Sequence, residues 1–307
     1  MRFLILLLAY AAAAPAATKA VLWTYPGNPA TYDLGGTAGS GVHLPKPPFR
    51  FLREDASGTQ LKVFVRDATG TEWNVKFGFE SKTESFAWRL VRACGYFVQP
   101  NFLVESGRIE GMGPLRRSDA TLHADGQFTD GRFQWRDPHY HFLKHAWAWQ
   151  SNPFRGTNQL AGLKILIMLV SNWDNKDSSN DGPNTALFRH RGELIYTFTD
   201  WGAGLGKWGH ATGQNNWRCE DFTAQTPQFV EGVKGGHVVF GYEGGHQADF
   251  QNDILPKDVA WLLKYLGRIT DDQLRAGLKS SGSTPAEQDC FTKALRSRME
   301  ALRAVAK

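Results

Sequence analysis

Between Thr157 and Val170 the chain runs almost without interruption through apolar side chains, and no other stretch constrains the fold as tightly. Leu160, Leu163, Ile165, Leu166, Ile167, Met168 and Leu169 fall on most faces of a helix rather than on one stripe. A helix of that kind is stable only when other elements surround it. Thr157 or Asn158 supplies the cap that starts it. The run is shorter than the ~20 residues a bilayer span requires, so it predicts the core of a globular domain. The next ten residues reverse the chemistry: Ser171-Asn172-Trp173-Asp174-Asn175-Lys176-Asp177-Ser178-Ser179-Asn180. A polar loop with aspartate, lysine and asparagine therefore starts where a buried helix stops. Beyond a predicted hairpin, Thr199-Asp200-Trp201-Gly202 brings a further aspartate, placed after a strand and just before a glycine.

The chain's 307 residues suffice for one large domain or two lobes around a cleft. The net charge of +5 suits an anionic ligand such as a nucleotide or a lipid headgroup. No dense Lys/Arg block occurs, so a nucleic-acid partner is not expected. Eleven tryptophans imply an aromatic core or cleft lining. Met1-Arg2, the apolar run Phe3 to Ala14 and the small residues Ala14-Pro15-Ala16 read as a signal peptide over 1–17. Export to a periplasm or the extracellular space is the expectation, with no transmembrane segment in the remainder. An oxidising compartment allows one disulfide among Cys94, Cys219 and Cys290. Cys219 with Cys290 is the expected pair, because Cys94 falls on an apolar helical face.

An irregular arm rich in Gly, Pro, Ala and Thr is expected over 18–47. A first lobe over 48–116 begins with predicted strands at 49–53, 61–66 and 72–77, separated by the turn signals Ser57-Gly58-Thr59 and Asp67-Ala68-Thr69-Gly70. A helix from Ser81 to Cys94 presents Phe86, Leu90, Val91 and Cys94 at helical spacing, and Gly95 ends it. Strands at 97–104 and 108–112 complete that lobe. The second, 117–307, is expected to hold a helix near 139–150, the apolar helix, a hairpin of 184–188 with 194–198, and helices over 257–266, 270–280 and 285–305. Gly235-Gly236-His237 and Gly244-Gly245-His246 read as two turns of a surface loop. His139, His141 and His145 offer a spacing that a metal could use, without the accompanying carboxylate pattern of a metal hydrolase.

Phosphoryl transfer needs one carboxylate to orient a nucleophile, plus an amide and a second carboxylate to hold divalent metal on the phosphates. The order of parts resembles the protein-kinase-like fold: a meander ending in Lys76, a helix with Glu84, a buried helix, the Asp174 loop, a hairpin and Asp200-Trp201-Gly202. More narrowly it is similar to the atypical kinase-like proteins, among them the secretory-pathway and phosphatidylinositol kinases. It also resembles exported bacterial proteins with an Asn-Trp-Asp-x-Lys-Asp loop and an Asp-x-Gly-Ala-x-x-Gly segment, here Asp200 to Gly206. The resemblance covers roughly 48–305. It implies an α+β, bilobal fold with a small antiparallel-sheet lobe carrying one helix and a larger, mainly helical lobe. It further implies ATP with Mg2+ or Mn2+ as ligands and transfer to an unknown acceptor, whether protein, glycan, lipid or small molecule. Lys76 would meet the phosphates and Glu84 would hold it, with Glu80 as a rival for that place. Ser57, Gly58 and Thr59 would cover the nucleotide. Asp174 and Lys176 would be catalytic, and Asp200 and Asn180 would bind metal. The pattern departs in two places: Ser179 stands where the second metal-binding amide is expected, with Asn180 next, and the 55–60 loop has one glycine instead of three. A catalytically silent module that recognises a partner or glycan through an aromatic cleft is the alternative.

Overall fold

The computed structural model describes residues 18–56, 60–209, 215–246 and 250–306. The expected signal peptide at 1–17 and the turn residues Ser57, Gly58 and Thr59 lie outside the described residues. A short strand, β1 (Ala20–Val21), and a 3-10 turn (Pro29–Thr31) precede the first sheet. That sheet is built from β2 (Phe49–Glu54), β3 (Lys62–Arg66), β4 (Glu72–Lys76), β5 (Asn101–Glu110) and β6 (Gln127–Trp135), with α1 (Ser81–Ala93) between β4 and β5. The strands close into a barrel of order β2-β3-β4-β6-β5, sealed by a parallel contact that sets Phe49 opposite Ile109. Side chains alternate across each strand. Val63, Val75 and Phe133 stand opposite one another on neighbouring strands and are fully buried. Phe49 packs on Phe133 with ring centroids 4.6 Å apart.

Two expectations for this region change. The strands expected at 97–104 and 108–112 are one strand, β5, because Glu105-Ser106-Gly107 continues the ladder instead of turning. Gly107 is required there: a Cβ would lie 2.7 Å from the Phe128 ring. Strand β6 was not expected, and it carries the barrel past residue 116. Asp130, with φ of 50°, and Gly131 interrupt the polar/apolar alternation that would mark it in the sequence.

The remainder is a mixed layer. β7 (His141–Phe142), β8 (Thr185–His190) and β9 (Glu193–Phe198) join β1 in a second sheet of order β1-β9-β8-β7. The helices are α2 (Asn158–Leu169), α3 (Cys219–Gln225), α4 (Pro256–Leu266), α5 (Asp271–Lys279) and α6 (Pro285–Val305), and β10 (Val230–Lys234) pairs with β11 (His237–Phe240). Thr157 caps α2, its hydroxyl accepting from the Leu160 N–H at 3.2 Å. The helix is buried along its length and packs on α4, as its all-round apolarity demands. Thr270 and Thr284 start α5 and α6 with reciprocal capping boxes. No helix among the described residues is long and apolar enough to cross a membrane.

The helix expected near 139–150 is absent. Asp137 accepts the His139 N–H and begins a turn, Lys144 takes φ of 55°, and residues 141–142 pair with β8. Trp147 and Trp149 are pulled inward, where their indole N–H groups donate to the Thr197 and Asn175 carbonyls. Gly235-Gly236 is a turn, the one that joins β10 to β11. Cys219 and Cys290 form the expected disulfide, linking α3 to α6, while Cys94 stays buried and free. The amino-terminal arm is strapped onto β9, the end of α1 and α4. β1 runs parallel to β9, the Trp23 indole donates to the Cys94 carbonyl at 2.7 Å, and its ring meets Trp261 at 5.1 Å.

Candidate functional site

Lys76 ends β4, and the turn at Gly78 (φ 96°) swings the chain into α1. The first turn of α1 then faces the Lys76 side chain. Its Nζ lies 2.6 Å from Glu84 Oε1 and also bonds the Glu80 carboxylate. Both glutamates therefore grip the ammonium, so the rivalry between them is resolved by sharing. Glu84 meets a second cation through Oε2, 3.1 Å from Arg132 Nε on β6. Asp200, just past β9, places Oδ1 at 3.9 Å from Lys76 Nζ. The Gly202 N–H donates to the same oxygen at 3.1 Å. Gly202 has no room for a side chain, since a Cβ would sit 2.7 Å from Glu80 Cβ. Trp201 is buried behind the aspartate, its indole bonded to the Phe198 carbonyl.

The electrostatics follow from five charged groups set close together: Lys76, Arg132, Glu80, Glu84 and Asp200. Burial would pull the Lys76 ammonium down, but the carboxylates of Asp200, Glu84 and Glu80 outweigh it and hold it above its ordinary value. Asp200 resists burial too: Lys76, the Gly202 N–H, Arg132 and Lys176 keep it below the usual carboxylate range. Glu80 absorbs the strain. Burial, with Asp200 and Glu84 adding to it against the pull of Lys76, pushes its carboxyl up to about 7. Ligand oxygens of Glu80, Glu84 and Asp200 all lie within 4.8 Å of one another, close enough to share one divalent ion.

The Asp174 loop begins where α2 ends. Ser171 turns the chain with φ of 50°, and Asn172 is fully buried behind it. The Asn172 amide spans two segments: Oδ1 accepts the Asp174 N–H at 3.0 Å and Nδ2 donates to the Asp200 carbonyl at 2.8 Å. Trp173 N–H donates to Ala203 O, and Leu205 N–H to Val170 O. Asn184 fixes the far side, donating to the Asp174 carbonyl at 2.7 Å. The Asp174 carboxylate has Lys176 Nζ at 3.1 Å and His246 Nε2 at 3.2 Å. Tyr242 donates its hydroxyl to the Asn172 carbonyl, and burial beside Asp174 pushes that phenol up.

Lys76, Glu84 and Asp200 thus come together, and Asp174 with Lys176 is joined to them through Asn172. Asn180 turns into its own loop, where its Oδ1 accepts the Asp177 N–H at 3.0 Å. Asp177 itself caps Ser179 and accepts the Trp149 N–H, which is a structural task. Sequence reasoning passed over Arg132, Tyr242 and His246. Arg132 lies on the unexpected strand, and His246 belongs to the Gly-Gly-His echo, whose Gly245 N–H docks on the Trp173 carbonyl at 2.7 Å. The histidines near 139–145 do not gather: His139 pairs with Asp137 in solvent, and His141 lies exposed on β7. Trp147 and Trp149 are buried, so they offer no open aromatic platform. An aromatic cavity of about 260 Å³ does exist elsewhere, lined in part by Trp23, Tyr25, Tyr32 and Tyr140.

No family model matches the chain. No curated protein matches it either. Among the solved structures similar to it are two of one kinase. One is the Golgi casein kinase, 12% identical with a TM-score of 0.40, the match covering 85% of this chain and 74% of that one. The other is the Golgi casein kinase with Mn/ADP bound, 13% identical with a TM-score of 0.42, covering 85% of this chain and 73% of that one.

Proposed function

We propose that this protein is an exported, bilobal, kinase-like phosphotransferase that binds ATP with Mg2+ or Mn2+ and phosphorylates a hydroxyl acceptor. The observation that carries the reading is one buried lysine held by Glu84, Glu80 and Asp200 and tied through Asn172 to the backbone of a second aspartate loop. Lys76, as a compact cation, would pair with the phosphates, and Glu84 would keep it aimed there. Asp200 with Glu80 would hold the divalent ion, which supplies charge neutralisation across the phosphates. Asp174 would orient the acceptor hydroxyl and take its proton as the acceptor oxygen bonds to the terminal phosphorus. The bond from that phosphorus to the bridging oxygen breaks, and ADP leaves. Lys176, beside Asp174, would stabilise the charge on the moving phosphoryl group. The acceptor's chemistry stays open among protein, glycan, lipid and small molecule.

The test is thermal melting with ATP and Mn2+. Wild type is expected to melt higher only when both are present, and Asp200→Ala to lose that rise, because stabilisation follows occupancy. No shift at millimolar ATP would overturn the reading. It would favour a silent binding module, a second reading to which the cavity lined by Trp23, Tyr25, Tyr32 and Tyr140 gives some support.

A further inference from the structure

The nucleotide reading uses one member, Lys76, of a longer row of cations on the barrel. Register sets Lys62 directly opposite Lys76 on β3 and β4, and Lys76 directly opposite Arg132 on β4 and β6. Residues paired in this way share a face and stand about 5 Å apart at Cβ, and like charges so placed repel. At one end of the row, Glu80 and Glu84 supply carboxylates to Lys76 and Arg132. Toward the other end, Asp55 accepts the Asn74 amide at 2.9 Å and meets Arg136 at 3.5 Å. Arg53 adds a further guanidinium, stacked 3.8 Å above the Phe64 ring, which Arg136 flanks at 4.8 Å. Burial pulls the Lys62 ammonium below its ordinary value. Asp55 opposes that, while Lys76, Arg132 and Arg136 reinforce it. An anion arriving beside Lys62 and Lys76 would offset the repulsion among the cations set around them.

Resting on the nucleotide reading, we propose that Lys62, assisted by Arg136, is a second phosphate-binding position that grips the polyphosphate chain beside Lys76. The cationic row would take up a task that backbone amides of a glycine-rich turn perform elsewhere, at a β2–β3 connection with a single glycine. Recognition by side-chain charge makes two demands. Affinity must grow with the number of phosphates, and it must fall steeply with salt, because partly exposed charges are screened.

The experiment is calorimetric titration of the full chain, in Mn2+, with adenosine, AMP, ADP and ATP at two salt concentrations. Lys62→Met, which keeps the alkyl stem, is expected to weaken ATP and ADP about tenfold, the scale of one charge-assisted hydrogen bond, and to leave adenosine unchanged. Lys62→Arg should restore most of the loss. Arg136→Gln, at an exposed position, should show a weaker loss of the same pattern and serves if Lys62→Met does not fold. ATP affinity equal to wild type in both Lys62→Met and Arg136→Gln, or a loss as large for adenosine as for ATP, would overturn the proposal while the nucleotide reading stands. Failure of wild type to bind any of the four ligands would overturn both.

Discussion

Glu80 answers to pH more than any neighbour in the site. Its carboxyl, ordinarily near 4.5, is pushed up to about 7 in the folded protein, first by burial and then by Asp200 and Glu84. The folded state therefore holds a proton that the unfolded chain has released. Stability from this group is full below the unfolded value and is lost as pH rises toward 7. Asp200 works the other way, since its lowered carboxyl removes stability only as pH falls below the ordinary carboxylate range. We predict that the metal-free protein melts lower as pH climbs from about 5 to about 7.5, and that Glu80→Gln flattens this slope. A profile identical in the variant would show that the proton sits elsewhere. At this scale the sequence singled out Lys76 at a strand end, Glu84 at a helix start, Asp174 and Lys176 in the polar loop after a buried helix, and Asp200 before a glycine. Arg132 and His246 each follow a glycine, but nothing local in the sequence ties them to these residues. Their place in the site depends on strand register and loop docking, which are long-range facts.

Helix α2 shows how one element sets the geometry of the loop that follows it. Its last carbonyls are buried, where unmet acceptors are costly. Arg298 of α6 meets them: Nη1 donates to Leu169 O and to Ser171 Oγ, each at 2.8 Å, while Nη2 reaches Phe222 O at 2.9 Å. The guanidinium also lies 3.6 Å over the Phe222 ring, and burial lowers its pKa to about 9. Arg298→Met should cost about 3 kcal/mol by urea unfolding, since relief of the buried charge does not repay the loss of donors to the Leu169 and Phe222 carbonyls. A change within about 0.5 kcal/mol would mean that those carbonyls find other partners. Element type was legible wherever period and caps agreed, as in α2, α5 and α6. It was lost in β6, where Asp130 and Gly131 break the alternation, and around Trp147 and Trp149, where indole hydrogen bonds override a helical pattern.

Taken whole, the molecule adds to its continuous core a few ties between parts distant in sequence. The Cys219–Cys290 bridge closes a loop of 71 residues and fixes α3 against the helix that carries Arg298. Replacing both cysteines with serine is predicted to remove about 2–4 kcal/mol, chiefly by freeing the unfolded chain, with the loss read from denaturant midpoints. A midpoint unchanged from wild type would mean that α3 is held by packing alone. The strap at the opposite end is noncovalent. Its two-residue strand lies along β9, whose final residue, Phe198, stands two positions before Asp200. A tether to a bead or sensor chip joined ahead of Lys19 would transmit its load straight into the hairpin that aims that aspartate. One joined beyond α6 would spare it, so the choice of which end to immobilise decides whether such a device measures the protein or perturbs it.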